Sequence, residues 1–214
     1  GTDSKGVYQD AQGIDKIQKY ASLFGLDQKS GVEIEEMDPH VSDTDAVRSS
    51  IGQGTNNYAP VQLARYVTTI ANEGNCYDLT LVNEIKNIDG RTVYKSDNVP
   101  KNTVDLTDSQ WAVIKQGMRQ MVSEHTSPSA LINQINVNVA GKTGTAEEDT
   151  TRPDHALFVS FAPYENPEVS VTCVIPHGYT SGNAEELAGM VYAYMYDPDK
   201  LDTLDITGNN QMSD

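Results

Sequence analysis

Apolar residues recur along this chain in two rhythms, one close to the turn of a helix and one that alternates. Ile14, Ile17, Tyr20, Ala21 and Phe24 fall three and four apart, and Gly25 follows where a left-handed residue closes a helix. The rhythm returns in Leu63, Tyr66, Val67, Ile70 and Ala71, entered through Pro60 near the first turn and closed by Gly74. A third helix is predicted from Thr107, where Gln110 completes a capping box and Trp111, Ile114, Met118 and Met121 form the buried face. The last begins at Asn183 as cap and turns Leu187, Met190, Val191 and Tyr194 inward.

Alternation marks the strands. Val137 and Val139 flank Asn138 and lead the chain, half buried, into Ala140-Gly141-Lys142-Thr143-Gly144-Thr145-Ala146. His155 to Ala162 and Val169 to Ile175 are two more strands, joined by the turn Pro163-Tyr164-Glu165-Asn166-Pro167. Short connections make the three antiparallel neighbours. Val32-Glu33-Ile34 reads as a short strand after the Ser30-Gly31 turn. Residues 81–85 and Thr92-Val93-Tyr94, around Asp89-Gly90, read as a hairpin. Residues 35–48 and 147–154 are polar loops, Pro128 breaks the chain, and residues 1–6 and 199–214 read as mobile ends. The pattern is that of an α+β fold, an antiparallel sheet packed with helices.

A chain of 214 residues can bury a real core. Its 15 Lys and Arg against 31 Asp and Glu leave a net charge of −16, which repels nucleic-acid phosphates and anionic lipid headgroups. Nucleic acid is therefore not an expected partner, nor is membrane contact by this chain. No run approaches the roughly 20 apolar residues of a membrane span, and Gly1-Thr2-Asp3-Ser4-Lys5 lacks the apolar core of a signal peptide. Cys76 and Cys173 form neither a disulfide framework nor a zinc pattern, and Cys173 reads as a small buried hydrophobe. His40, His125 and His177 have no partner at metal-ligand spacing, and His155, opening a strand, reads as structural or surface. Neither metal nor cofactor is expected.

The chemistry concentrates in Lys142-Thr143-Gly144-Thr145, a lysine delivered by an extended segment with Gly141 and Gly144 permitting close approach of a backbone or ligand. Alone, such a tripeptide reads as an edge strand blunted by a solvated lysine. Its surroundings change that reading. Lys142-Thr143-Gly144-Thr145-Ala146-Glu147, His155-Ala156-Leu157-Phe158-Val159-Ser160-Phe161-Ala162-Pro163 and Asn166-Pro167-Glu168 resemble the strand, loop, strand and turn of penicillin-binding protein transpeptidase domains. Ser50-Ile51-Gly52-Gln53-Gly54, with Ala59-Pro60-Val61-Gln62-Leu63-Ala64 and Ile70-Ala71-Asn72-Glu73-Gly74, resembles that family's Gly-Gln-Gly loop and following helix. Phe24-Gly25-Leu26 and Ser30-Gly31-Val32 fit as well. Read as a phosphate loop, Gly52-Gln53-Gly54 lacks the Gly-Lys-Ser/Thr ending. The blocks run from about 13 to 195 in the order of the class B group.

The resemblance implies a C-terminal part of one transpeptidase domain spanning residues 1–214, in the penicillin-binding and serine β-lactamase-like fold. It implies a parent at the extracytoplasmic face of a bacterial membrane that cross-links D-alanyl-D-alanine stem peptides through an acyl-serine and binds β-lactams. Thr143, Gly144 and Thr145 would receive the substrate carboxylate, Thr145 N–H would be half of an oxyanion hole, and Lys142 would supply positive potential and assist proton movement. The pattern also departs from the family, because no serine has lysine three residues later. Ser96-Asp97-Asn98 lies only 44 residues before Lys142 (142 − 98), behind the hairpin, and reads as a surface turn. The chain is thus expected to be inactive alone, with an incomplete sheet whose last strand offers an open edge for self-association. Two rival readings are a non-catalytic penicillin-fold binding module and a complete serine β-lactamase or carboxypeptidase, and the missing nucleophile weighs against the second.

Overall fold

The computed structural model describes residues 2–127, 130–148 and 151–203. Helix α1 spans Asp10–Leu23, and Gly25 after it takes φ 74°, the left-handed position expected of it. Residues 35–45 are irregular, and one turn of helix, α2 at Ala46–Ser49, begins where the Asp45 carboxylate accepts the Arg48 N–H. Helix α3, Pro60–Ala71, starts with proline in its first turn while the Gln62 side chain accepts the Ala59 N–H. Short strands follow: β1 (Asn75–Cys76), β2 (Glu84–Lys86), β3 (Thr92–Lys95) and β4 (Asn102–Thr103). The pairing of β2 with β3 is the predicted hairpin, and β1 pairs with β4.

Helix α4, Asp108–Gln120, carries the Thr107–Gln110 capping box and widens into a π-helical turn at Met121–His125. A 3-10 turn at Leu131–Asn133 leads toward the main sheet, β5 (Ala140–Ala146), β6 (His155–Ala162) and β7 (Val169–Ile175). These pair antiparallel in the order β5-β6-β7, with Thr143 opposite Phe158 and Phe158 opposite Cys173. Helix α5, Ser181–Tyr196, and a 3-10 turn, Pro198–Thr203, complete the described chain. Of the tail expected to be mobile, 204–214 lie outside the described residues, as do Pro128 and the loop positions 149–150. At the other end, the Asp3 carboxylate accepts the N–H groups of Lys5 and Val7.

The sheet is covered on both faces. Ala156, Phe158 and Ala162 of β6 join Cys173, Ala184, Ala188, Tyr192 and Ala193 in one core cluster beneath α5. Phe161, one step out of phase, joins Val67, Ile70, Ala71, Met118 and Ala140 in a second cluster beneath α3 and α4. Because successive side chains of a strand point to opposite faces, a strand buried on both sides loses the alternation of a half-exposed one. That is why β6 reads as an almost unbroken apolar run. Among the described residues no strand pairs with the outer edge of β5 or of β7.

Several local expectations change. Val32-Glu33-Ile34 forms no strand; around it Glu36 takes the Ser30 N–H, and Glu33 takes the Thr80 hydroxyl and the Leu81 N–H. β5 begins at Ala140, not at Val137. On α1 and α4, Tyr20 and Ile114 are exposed, contrary to the apolar faces read for them. The cap of α5 is Thr180, whose hydroxyl accepts the Gly182 N–H, while Asn183 donates to the Gly178 carbonyl. The face of α5 is reversed as well: Leu187, Val191 and Tyr194 are exposed, Met190 is half-buried, and Ala184, Ala188, Gly189, Tyr192 and Ala193 are buried. An all-round apolar helix carries little periodicity, so the small side chains that permit close approach to the sheet decide the buried face.

Polar groups hold the other half of the molecule together. Arg65, 1 % exposed, donates to the carbonyls of Gly25 and Gln28 and pairs with Asp78 at 3.1 Å. Glu36, also buried, accepts the Ser30 N–H at 2.9 Å, the Ser30 hydroxyl at 2.8 Å and the Gln62 amide at 2.6 Å. Burial disfavours its charge, yet these donors together with the Arg65 charge hold the Glu36 carboxyl below the usual carboxylate range. A carboxylate so lowered contributes stability that is fully present above its unfolded value near pH ~4.3 and is lost as the pH falls through the lower folded value. Glu36→Gln is expected to cost on the order of 1–3 kcal/mol at neutral pH and to flatten the acid limb of stability. Urea unfolding from neutral to acid pH measures both, and an unchanged acid limb would contradict the assignment.

Candidate active site

The four residues Lys142 to Thr145 lie on β5, an outer strand of the main sheet. The register places Thr143 opposite Phe158 and Thr145 opposite Ala156, on the α5 face, with Lys142 opposite Val159 on the other. Lys142 and Thr145 are exposed, and Thr143 and Gly144 are half-buried. Lys142 Nζ donates to the Thr143 carbonyl at 2.8 Å, and Gln53 Nε2 donates to the Thr145 carbonyl at 3.3 Å. Both donors lie outside the β5–β6 ladder. In an antiparallel strand the N–H and C=O of one residue point to the same side, so Thr143 and Thr145 also turn their N–H groups toward the open edge.

The Gln53 contact explains the architecture of its loop. Gly54 takes φ 84°, and a Cβ there would stand 2.8 Å from Ser49 Oγ and 3.0 Å from Ser42 Oγ. Those hydroxyls are 2.6 Å apart, and Ser42 Oγ also meets Thr55 Oγ1 at 3.1 Å. Asn56 clips the loop from below, donating to the Gln53 carbonyl and accepting the Ser42 N–H. The sequence suggests a turn that seats α3 beneath β5. The structure adds a function for the middle residue, because a side chain 92 positions away supports the backbone of Thr145.

On its α5 face the strand is backed by the π-helical turn, with Thr143 Oγ1 3.9 Å from Met121 Sδ. Two concavities lie elsewhere on the molecule. One of about 500 Å³ is bordered by Thr68, Asn72 and Ser170, and one of about 560 Å³ by His125, Ile132 and Glu185. Neither is lined by residues 142–145.

At the far end of β5 the fold assembles a cluster that sequence spacing does not reveal. His155 Nε2 lies 3.1 Å from Glu148 Oε2, the His177 N–H donates to His155 Nδ1 at 3.0 Å, and the two imidazole rings are 4.8 Å apart. His177 Nδ1 lies 3.1 Å from the Pro153 carbonyl. His177 thus has partners, contrary to the expectation from spacing, and Glu148 is more than part of a solvated loop. The signal was available in the strand pattern: with Ala156 opposite Ile175, the first residue of β6 lies beside the residues that follow β7.

Comparison with known proteins shows what the chain as a whole is similar to. The family model described as the penicillin binding protein transpeptidase domain matches residues 8–194. Penicillin-binding protein 2B of Streptococcus pneumoniae serotype 2 is 29% identical over 180 residues, covering 77% of this chain and 26% of that protein. The D,D-transpeptidase PbpA of Mycolicibacterium smegmatis is 31% identical over 174 residues, covering 78% and 35%. Among solved structures, penicillin-binding protein A from M. tuberculosis, as its imipenem acyl-enzyme complex, superposes with TM-score 0.73 at 26% identity, over 85% of this chain and 42% of that one. The chain therefore spans between 26% and 35% of the length of these two curated relatives.

The two glycines of the strand do different work. A Cβ on Gly141 would stand 2.5 Å from Phe158 Cζ and 3.0 Å from Ser160 Cβ, whereas on Gly144 it would meet only Leu157 Cβ at 3.3 Å. Close approach at Gly141 is thus by the sheet's own phenylalanine, not by a ligand. Gly141→Ala is expected to destabilise by about 1–3 kcal/mol through overpacking, and Gly144→Ala by clearly less. Chemical denaturation of the two variants checks the order, and a reversed order would overturn it.

Proposed function

Because this chain belongs to the penicillin-binding protein transpeptidase family, we propose that β5 is the substrate-carboxylate edge of a D,D-transpeptidase active site. The Thr143 and Thr145 hydroxyls donate to the terminal carboxylate of a D-alanyl-D-alanine stem peptide, or to the carboxylate of a β-lactam. Gly144 leaves room for the acyl chain to lie along the edge. The Thr145 N–H, turned outward, is one of two donors to the oxyanion that forms when serine attacks the carbonyl. Lys142 raises the local positive potential in a chain of net charge −16 and stabilises the anionic end of the substrate.

The observation that carries this reading is the open edge itself. Thr145 is exposed, its carbonyl is held by Gln53, and Lys142 lies exposed on the same strand. Chemistry requires two further parts. Attack on the carbonyl carbon needs an activated serine hydroxyl, whose proton passes to a neighbouring base while D-alanine leaves with a proton. No serine of these 214 residues has lysine at the third following position, so the nucleophile, its lysine and the second oxyanion donor belong to residues outside this sequence. The working protein acts where stem peptides are, on the extracytoplasmic face of a bacterial membrane. Among the described residues no helix is long and apolar enough to cross a membrane.

The penicillin fluorophore test separates this reading from that of a complete serine hydrolase. Incubated with a fluorescent penicillin and denatured, the 214-residue chain is expected to carry no label. A labelled band that survives denaturation would place a nucleophile within the chain and contradict the proposal.

A further inference from the structure

We propose that Glu148, His155 and His177 form a binding site for one divalent transition-metal ion of the zinc class. Two imidazoles and one carboxylate are a donor set suited to zinc, which takes nitrogen and oxygen ligands tetrahedrally and completes its shell with water. Their ligand atoms all lie within 4.8 Å of one another. Two ligands of a tetrahedral ion at zinc distances stand about 3.3 Å apart, and His155 Nε2 and Glu148 Oε2 are already at 3.1 Å. The third donor has about 1.5 Å or less to close, within reach of a side-chain rotation. Glu148 is 63% exposed and His155 26% exposed at the side chain, so ions have access.

The surroundings favour a cation. His177 Nδ1 faces the Pro153 carbonyl, the outer contact that commonly orients a ligating histidine and leaves Nε2 as its lone-pair donor. His177 also holds a left-handed backbone, φ 53°, at the turn that aims its ring toward His155. Glu147 and Asp154 stand near the ligands in sequence, and the net charge of −16 raises the local concentration of cations. One feature opposes binding. His155 Nδ1 accepts the His177 N–H, which puts the ring proton on Nε2, facing Glu148. An entering ion takes the place of that proton, which passes to Nδ1 at the expense of the His177 amide contact. Affinity is therefore weaker than at a fully preformed structural zinc site.

Such an ion would join the loop after β5 to the turn between β7 and α5, fixing the end of the strand that carries Thr145. The site does not depend on the transpeptidase reading, because its ligands are not among residues 142–145. Titration calorimetry of the chain with Zn2+ near neutral pH is expected to show one ion per chain, with Mg2+ binding far more weakly because the donors include two nitrogens. His155→Ala and His177→Ala should each weaken Zn2+ binding about 10-fold or more. Ring NMR of the unsubstituted chain provides a second readout that does not depend on how a variant folds: Zn2+ should shift His155 and His177 and leave His40 and His125 in place. No heat together with no ring shift, equal binding of Mg2+, or unchanged affinity in both variants would overturn the proposal.

Discussion

The structure depends on one constraint, the burial of β6 on both faces. Phe158 and Phe161 are fully buried although they point to opposite sides of one strand. Two faces must then be covered by separate layers, α5 on one and α3 with α4 on the other, and both layers must approach closely. Alanines 184, 188 and 193 and Gly189 permit this on the α5 side, and the absence of a side chain at Gly141 leaves room for the Phe158 ring. The position of β5 follows from β6. The register of seven consecutive pairs fixes which residues face each layer, and a slip of one would turn Thr143 and Thr145 to the wrong side.

That register also sets which polar groups this acidic chain presents along the edge of β5. The outward N–H groups of Thr143 and Thr145 and the Lys142 ammonium are local, and local donors act at hydrogen-bond range where the global field does not decide. Gln53, supported by the Ser42, Ser49 and Asn56 network, anchors the backbone of Thr145 from a distant part of the chain. The family's loop and its strand are thus mechanically one unit. Among the described residues the outer edge of β5 has no strand partner.

Much of this was legible in the sequence. Strand β6 follows from a short apolar run ended by a turn, and β7, the hairpin, the Thr107 cap and the order of the sheet follow from alternation, turn residues and capping chemistry, each a local rule. The features that escaped are non-local or ambiguous by nature. The Val32–Ile34 alternation is too short to specify a strand, and among the described residues none forms there. The face of α5 could not be read from a helix apolar on all sides. Arg65, Gln62 and Thr69 sit buried on α3 because partners from other segments satisfy them, which no helical periodicity records. The cluster of Glu148, His155 and His177 required the strand register, not the spacing along the chain.

The central claim is that the edge of β5 receives a carboxylate and an oxyanion at Thr143 and Thr145. A crystal structure of this chain joined to the segment that carries the serine, acylated by a β-lactam, measures it directly. The account predicts the β-lactam carboxylate within about 2.5–3.2 Å of the Thr143 or Thr145 hydroxyl and the acyl oxygen at hydrogen-bond distance from the Thr145 N–H. A carboxylate held elsewhere, with the edge of β5 left uncontacted, would contradict it.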